Sequence, residues 1–118
     1  MTIIPDTEGL YHHIDQSGIT YGPRKLEIFR QACFLRGVPV CANYNTELAR
    51  VKIFDPCGSW TWYVCEWDPD NNIAYGLVKG FESERGDFSL EELSSVPGPL
   101  GIGMEVDVYW RPTLVNEL

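Results

Sequence analysis

The eight residues WTWYVCEW at positions 60–67 constrain the fold more than any other segment of the chain. They contain three tryptophans, one tyrosine and a single carboxylate. Strict alternation along a strand would place Trp60, Trp62, Val64 and Glu66 on one face and Thr61, Tyr63, Cys65 and Trp67 on the other. Both faces are largely apolar. This predicts a central strand, covered on one side by a helix and on the other at least partly by a loop or a partner.

Further short segments with strand character surround this one and are separated by turn signals. DPCGS at 55–59 and DPDNN at 68–72 combine residues that favour tight turns. MEVDVYW at 104–110 alternates apolar and polar residues. We therefore predict a mainly antiparallel sheet of about four strands, at 50–54, 60–67, 73–79 and 104–110. The segment 80–88 is predicted to be a polar loop.

Two helices are expected beside this sheet. The main one, at 24–36, has apolar residues at helical spacing, with Pro23 suited to its first turn and Gly37 to its exit. Its exposed side is predicted to carry the basic residues Arg24, Lys25, Arg30 and Arg36. A short helix at 89–94 begins at Ser89 with a glutamate three places on, the spacing of a capping box. The predicted fold is α+β, with residues 1–118 forming a single domain.

The charge of the chain is unevenly distributed. Residues 1–50 carry five acidic and five basic side chains, whereas residues 51–118 carry twelve acidic and four basic ones, which accounts for the whole net charge of −8. Such a field repels phosphate backbones, so direct nucleic-acid binding is not expected, and a protein with a basic surface is the more natural partner. An acidic surface that serves solubility alone is the simpler alternative.

Cellular setting is also suggested by composition. No apolar run reaches the length of a membrane span or a secretion signal, so we expect a cytoplasmic protein without membrane contact. The four cysteines, at positions 33, 41, 57 and 65, lack metal-binding spacing and are expected to be free thiols.

From Val51 onward the chain resembles a known family. The resemblance rests on VKIF-DP at 51–56, Trp60 followed by EWDP at 66–69, AYGL at 74–77, GDFSLEEL at 86–93, GPLG at 98–101 and the Glu105/Asp107 pair before Trp110. These features are similar to those of domain of unknown function 2958, whose small proteins are found on phages, plasmids and integrated mobile elements. Residues 1–40 match nothing in that pattern. The resemblance implies a mobile-element setting in a bacterial host cell and a compact form, but no reaction.

Several side chains invite a chemical interpretation. Glu66 and Asp68 on one strand and Glu105 and Asp107 on another would suit a divalent cation or acid/base catalysis if those strands pair. We favour the alternative, in which Asp68 makes a turn with its following proline and the Glu105/Asp107 pair forms a solvated face. We therefore expect no metal ion and no cofactor.

Two other groups are weaker candidates for catalysis. His12 and His13 lie beside Asp15, but adjacent residues of an extended segment point in opposite directions. Cys57 has little positive charge near it and is expected to be an inert surface thiol. No nucleophile, base and orienting group come together by spacing, so an enzyme is the third hypothesis.

The aromatic and acidic residues carry the leading hypothesis. We expect a non-enzymatic accessory protein of a phage or mobile element that binds and inhibits a component of a host defence system. Aromatic side chains in excess of what one small core hides would contact the partner together with the acidic surface. The residues assigned to this role are Tyr63, Trp67, Glu82, Glu84, Glu91, Glu92 and Tyr109.

The alternative hypothesis is a small-molecule sponge or nucleotide-binding module. Trp67 and Tyr109 would stack a base, and the phosphates would meet Lys79, Arg85 and Arg111. Burial of the excess aromatic surface in a homodimer is a further alternative.

Overall fold

The computed structural model describes residues 20–41, 46–98 and 101–118, and it has the predicted α+β architecture. The helices are α1 (Pro23–Leu35) and α2 (Leu90–Ser94), and a 3₁₀ turn covers Val115–Glu117. The strands are β1 (Leu48–Ala49), β2 (Val51–Phe54), β3 (Thr61–Asp68), β4 (Ile73–Lys79), β5 (Ser83–Ser89), β6 (Glu105–Val106) and β7 (Thr113–Leu114).

Five of the strands form one antiparallel sheet in the order β5-β4-β3-β2-β6. The strands predicted at 50–54, 60–67 and 73–79 are confirmed as β2, β3 and β4, and they form a meander. Its second turn contains Asn72 in the left-handed conformation, with φ of 57°, which asparagine tolerates better than most residues. β3 lies at the centre of the sheet, as its two apolar faces predicted.

A β-bulge in β3 breaks the alternation of side chains. The pairing with β4 shifts register between Val64 and Glu66, so one extra residue is inserted at Cys65. Trp67 therefore joins Trp62 and Val64 on the face that packs against α1. The prediction that Trp67 shares a face with Tyr63 and Cys65 is wrong, because strict alternation fails at a bulge.

Helix α1 covers one face of the sheet. Pro23 occupies its first turn, and Gly37, with φ of 67°, follows its end, where Val38 N–H donates to Cys33 C=O at 3.0 Å. This is a Schellman-type ending, which glycine favours. Ile28, Phe29, Ala32 and Cys33 are buried against the sheet. Among the described residues, no helix is long and apolar enough to cross a membrane.

The basic residues of α1 are not arranged as the sequence suggested. Lys25 and Arg36 are buried, and Arg30 is half-buried with its guanidinium 5.4 Å from the ring centre of Trp67. Burial lowers the pKa of Lys25, and the nearby Glu105 carboxylate partly opposes that shift. Only Arg24 is exposed. The prediction of an exposed basic cluster is therefore wrong, because three of these long side chains cover apolar surface instead.

The opposite face of the sheet is covered by the end of the chain. Tyr63, Cys65 and Leu77 form a small core with Val115, and Trp110 packs on it with its ring 5.3 Å from that of Tyr63. The two-stranded β1–β7 ladder holds this segment in place. The loop predicted to cover this face is thus supplied by residues 110–118.

Two predicted elements differ from the structure. The strand expected at 104–110 is only Glu105–Val106, because a turn begins at Asp107. The Asp107 side chain accepts a hydrogen bond from Tyr109 N–H at 2.9 Å, and the Asp107 carbonyl accepts one from Trp110 N–H at 3.2 Å. The segment predicted to be a polar loop at 80–88 instead contains strand β5, which pairs with β4 over seven residues. Within the described residues, the main sheet therefore has five strands rather than about four.

The short helix α2 begins at a side-chain cap, as predicted. Ser89 Oγ accepts a hydrogen bond from Glu92 N–H at 3.0 Å. Replacing Ser89 by alanine removes this acceptor and is expected to lower the free energy of unfolding by about 1 kcal/mol. Urea denaturation would measure it, with Ser83→Ala as a control that should change stability by less than about 0.5 kcal/mol. Equal losses in both variants would show that the cap contributes nothing specific.

Candidate functional site

Two of the aromatic residues predicted to meet a partner are buried. Tyr63 and Trp67 are each 7% exposed. Trp67 Nε1 donates to the Val38 carbonyl at 3.2 Å, so its polar atom already has a partner. Burial, followed by the charge of Asp107, raises the pKa of the Tyr63 hydroxyl. Both side chains therefore have structural roles, and neither is included in the binding surface described below.

The residues of the nucleotide-binding alternative do not come together. Arg85 lies on β5 and Tyr109 lies just beyond β6, at opposite edges of the five-stranded sheet. With strands about 4.8 Å apart, these edges are separated by roughly 19 Å. Trp67 lies in the core beneath α1, while Lys79 is half-buried at the end of β4 and Arg111 is exposed in the C-terminal segment. This set therefore does not form one base-and-phosphate site.

The predicted acidic residues do lie at one edge of the molecule. Glu82 and Glu84 are exposed at the start of the β5 hairpin arm, Asp87 follows on the same strand, and Glu91 and Glu92 are exposed on α2 directly after it. We call these five residues the acidic edge. Sequence analysis identified four of them, and Asp87 is added by the strand that connects them.

The acidic edge is not neutralised by its own basic residue. Arg85 is the only basic side chain between positions 80 and 95, and its Nη1 donates to both carboxylate oxygens of Glu47 at 2.6 Å. This hydrogen bond, with the Glu47 charge, raises the pKa of Arg85 further. The five acidic side chains therefore keep their negative field.

Two exposed aromatic residues border the acidic edge. Phe81 is 94% exposed, and Trp60 packs edge-to-face against it with ring centres 5.5 Å apart. The Trp60 ring lies directly over Gly80, where a Cβ would approach ring atoms to 2.4 Å. Together, Phe81 and Trp60 offer apolar surface whose burial by a partner would contribute to binding. Sequence analysis missed Phe81 because it stood in a segment predicted to be a loop.

The aromatic and acidic residues enclose a concave surface. A depression of about 460 Å³ is lined by Trp60, Val78, Phe81, Glu82, Glu84 and Gly86, together with Arg85 and Asp87. A second depression of about 350 Å³ shares Asp87 and continues past Phe88 to Glu92 and Val96. The two depressions therefore run together from the aromatic pair along β5 to α2.

A further groove lies at the other end of the sheet. It is lined by Phe34, Val40, Trp67 and Pro69, with Glu27 and Arg30 at its border. Phe34 and Val40 are 77% and 61% exposed. It is mainly apolar, and it lacks the concentration of charge that distinguishes the acidic edge.

The carboxylates that were candidates for a cation site do not come together in the structure. β2 lies between β3 and β6, so Asp68 and Asp107 are not on neighbouring strands. Asp68 accepts hydrogen bonds within its own turn, chiefly from the Asn71 side chain at 2.8 Å, which lowers its pKa. Asp107 forms an ion pair with Lys52 at 3.7 Å, and Glu66 is buried and accepts from Thr46 N–H at 2.7 Å. In the described part of the chain, no group of three metal-binding side chains occurs.

The thiols also lack an activating environment. Burial raises the pKa of Cys33 to about 12 and that of Cys65 to about 11, so neither forms a thiolate at neutral pH. Cys57 is exposed, and the nearest carboxylate, Asp55, accepts from its backbone N–H at 2.9 Å. His12, His13 and Asp15 lie outside the described residues.

The comparisons with known proteins concern most of this structure. The family model described as "Protein of unknown function (DUF2958)" matches residues 40–115, a range that includes all seven strands and α2. Comparison with curated proteins and with solved structures finds no match.

Proposed function

The chain belongs to the DUF2958 family of proteins of unknown function, and we propose that it acts without catalysis, by binding a basic surface of a partner protein through the acidic edge. In the mobile-element setting that the family resemblance implies, that partner is a component of a host defence system. The protein binds this component in the bacterial cytoplasm and thereby inhibits it. The nucleic-acid groove of such a component is the basic surface that the acidic edge would cover.

The observation that carries this proposal is the combination of unneutralised charge and exposed aromatic surface at one place. Five exposed carboxylates lie on β5, on α2 and on the residue before β5, the one intervening arginine is paired with Glu47, and Phe81 is 94% exposed beside them. Aromatic anchors contribute most of the energy in many protein interfaces, whereas surrounding charges govern association rate and partner choice.

Electrostatic complementarity also explains how such a protein would compete with nucleic acid. A groove that binds nucleic acid presents lysine and arginine side chains to the phosphates. Carboxylates along the acidic edge can take the places of those phosphates. Binding should weaken as salt rises, because the screening length falls from about 10 Å at 0.1 M to about 3 Å at 1 M ionic strength.

Reversing charge on the acidic edge is expected to remove partner binding. The variant Glu82→Lys/Glu84→Lys/Asp87→Lys changes three exposed side chains and leaves α2 intact, and juxtaposed like charges should weaken the complex by more than about tenfold. The measurement is capture of proteins from bacterial host lysate by the tagged chain, quantified by mass spectrometry, with thermal unfolding to confirm the fold.

A charge-matched control separates the position of the charges from their number. Glu27→Lys/Asp70→Lys/Glu117→Lys also reverses three exposed acidic residues. Each variant replaces three negative charges by three positive ones and takes the net charge from −8 to −2. The control should retain the partner. Capture of the same protein in equal amounts by both variants would refute the proposed role of the acidic edge.

A further inference from the structure

We infer that the partner binds by adding an extended basic segment to the free edge of β5, as a sixth strand of the main sheet. This rests on the proposed function and specifies how the acidic edge is used. The mode of binding is inferred from the backbone of β5, and the basic character of the added segment from the charges beside it.

The backbone pattern of β5 identifies which of its groups face outward. β5 pairs with β4 from Ser83 to Ser89. Just outside this ladder, Gly80 N–H donates to Glu82 C=O at 3.0 Å and Leu90 N–H donates to Asn72 C=O at 2.8 Å, so these two flanking pairs, both even-numbered, are hydrogen-bonded pairs. In an antiparallel pair, residues alternate between those bonded to the neighbour and those whose groups point away. The even-numbered residues of β5 therefore bond to β4, and the odd-numbered ones point outward.

These outward groups are available. Among the strands in the described part of the chain, β5 is the last in the sheet order. Within the described ranges, the backbone N–H and C=O groups of Ser83, Arg85 and Asp87 have no hydrogen-bond partner in the folded chain. The opposite edge offers much less, because β6 is two residues long. A seven-residue edge with free donors and acceptors is a template for a partner strand.

The side chains of the edge select for a basic strand. Charged residues on an edge usually prevent pairing with other strands. Here the charges are of one sign apart from Arg85, which is held by Glu47, so a second copy of this chain would bring another strand of net negative charge to the edge. A segment rich in lysine or arginine meets attraction instead. The same charges therefore exclude self-pairing and favour a basic partner.

The concave surface beside β5 gives a basic side chain a specific place. Gly86 faces the α1 side of the sheet, in register with Gly76, and no atom lies within 4 Å of the position that a Cβ would take there. A lysine or arginine of an added strand could extend across this space toward Glu84 and the Trp60 ring. Carboxylate and aromatic face together suit a cation with an apolar stem.

Amide hydrogen exchange on the native protein tests the inference. The probe is the synthetic peptide acetyl-(Lys-Val)₃-Lys-amide, which favours an extended conformation. At saturation, the amides of Ser83, Arg85 and Asp87 should exchange at least about tenfold more slowly, whereas those of Glu84 and Gly86, already bonded to β4, should change little. The same peptide with every backbone nitrogen methylated keeps its lysine charges but has no backbone N–H donors. It should bind about tenfold more weakly or not at all.

A backbone variant provides the second measurement. Ser83→Pro removes one outward N–H without changing charge, and prolines are tolerated at that position of an edge strand. It should weaken binding of the peptide about tenfold, whereas Ser83→Ala should not. If the proline variant unfolds, the hydrogen-exchange experiment on the unsubstituted protein still tests strand addition.

The outcomes separate this inference from the proposed function. Peptide binding with no alternating amide protection would overturn strand addition, while loss of that binding in the Glu82→Lys/Glu84→Lys/Asp87→Lys variant would still support the acidic edge. Failure of the peptide to bind at about 1 mM would also overturn strand addition by a basic segment. The proposed function is then judged on lysate capture alone.

Discussion

Replacing Gly76 by alanine is expected to prevent the chain from folding stably. Gly76 lies on β4 opposite Val64, beside the bulge of the central strand, and a Cβ there would lie 1.8 Å from the Tyr63 carbonyl oxygen and 3.1 Å from the Cys65 nitrogen. Both are backbone atoms at the middle of the sheet, so the strands would have to separate. The expected loss exceeds about 3 kcal/mol of unfolding free energy, and it would be measured by urea denaturation.

Gly86 provides a matched control for this substitution. It pairs with Gly76 in the same row of the sheet, but nothing lies within 4 Å of a Cβ built on it. Gly86→Ala should therefore leave stability unchanged or raise it by up to about 1 kcal/mol, because glycine in a strand costs conformational entropy. A stable, cooperatively folding Gly76→Ala protein would mean that β3 and β4 do not approach as closely as described.

Replacing Trp67 by alanine is expected to destabilise the protein by about 3–5 kcal/mol. The side chain is 7% exposed, belongs to the core beneath α1, and donates to the Val38 carbonyl. Truncation leaves a cavity and an unsatisfied carbonyl, both of which are costly. Thermal and urea unfolding would measure the loss.

Phe34→Ala is the control for an aromatic side chain on the same groove. Phe34 is 77% exposed on α1, and its removal should change stability by less than about 1 kcal/mol. If Trp67→Ala instead kept its stability and lost partner binding, Trp67 would be a contact residue, as the sequence first suggested, and its assignment to the core would be wrong.

The features that sequence analysis predicted correctly depend on local chemistry. Pro23 and Gly37 bracket α1, Ser89 caps α2, and the DPDNN turn contains Asn72 in a left-handed conformation. Each of these preferences acts within a few residues, so it is visible in the chain itself. The three meander strands were predicted for the same reason, since they are separated by turns with strong signals.

The features that were missed depend on the arrangement of strands. A bulge inserts one residue with no required sequence signal, and it reversed the predicted faces of Glu66 and Trp67. β5 lacks apolar alternation because the side chains on one of its faces are largely exposed. Its strand conformation is supported by pairing with β4, the strand that directly precedes it, and not by a pattern among its own residues.

The candidate site was predicted only in part for the same reason. Runs of glutamate are easily located, and most such residues are exposed, so the four predicted carboxylates lie on the surface. Two of the three predicted aromatic members, Tyr63 and Trp67, came from the richest cluster, at 60–67, most of which forms the centre of the sheet. The third, Tyr109, is exposed but lies at the sheet edge opposite β5. Phe81 became recognisable only when the β4–β5 hairpin placed it beside Trp60. Exposure of an aromatic side chain is decided by the fold, not by its neighbours in sequence.

Affinity capture of the tagged chain from lysate of its natural bacterial host, with mass spectrometry of co-eluting proteins and of released small molecules, tests the central claim most directly. The account predicts a basic protein in stoichiometric amount, released by salt, retained by the Glu27→Lys/Asp70→Lys/Glu117→Lys control and lost from the Glu82→Lys/Glu84→Lys/Asp87→Lys variant. A released nucleotide without any protein partner would contradict it and favour the small-molecule sponge.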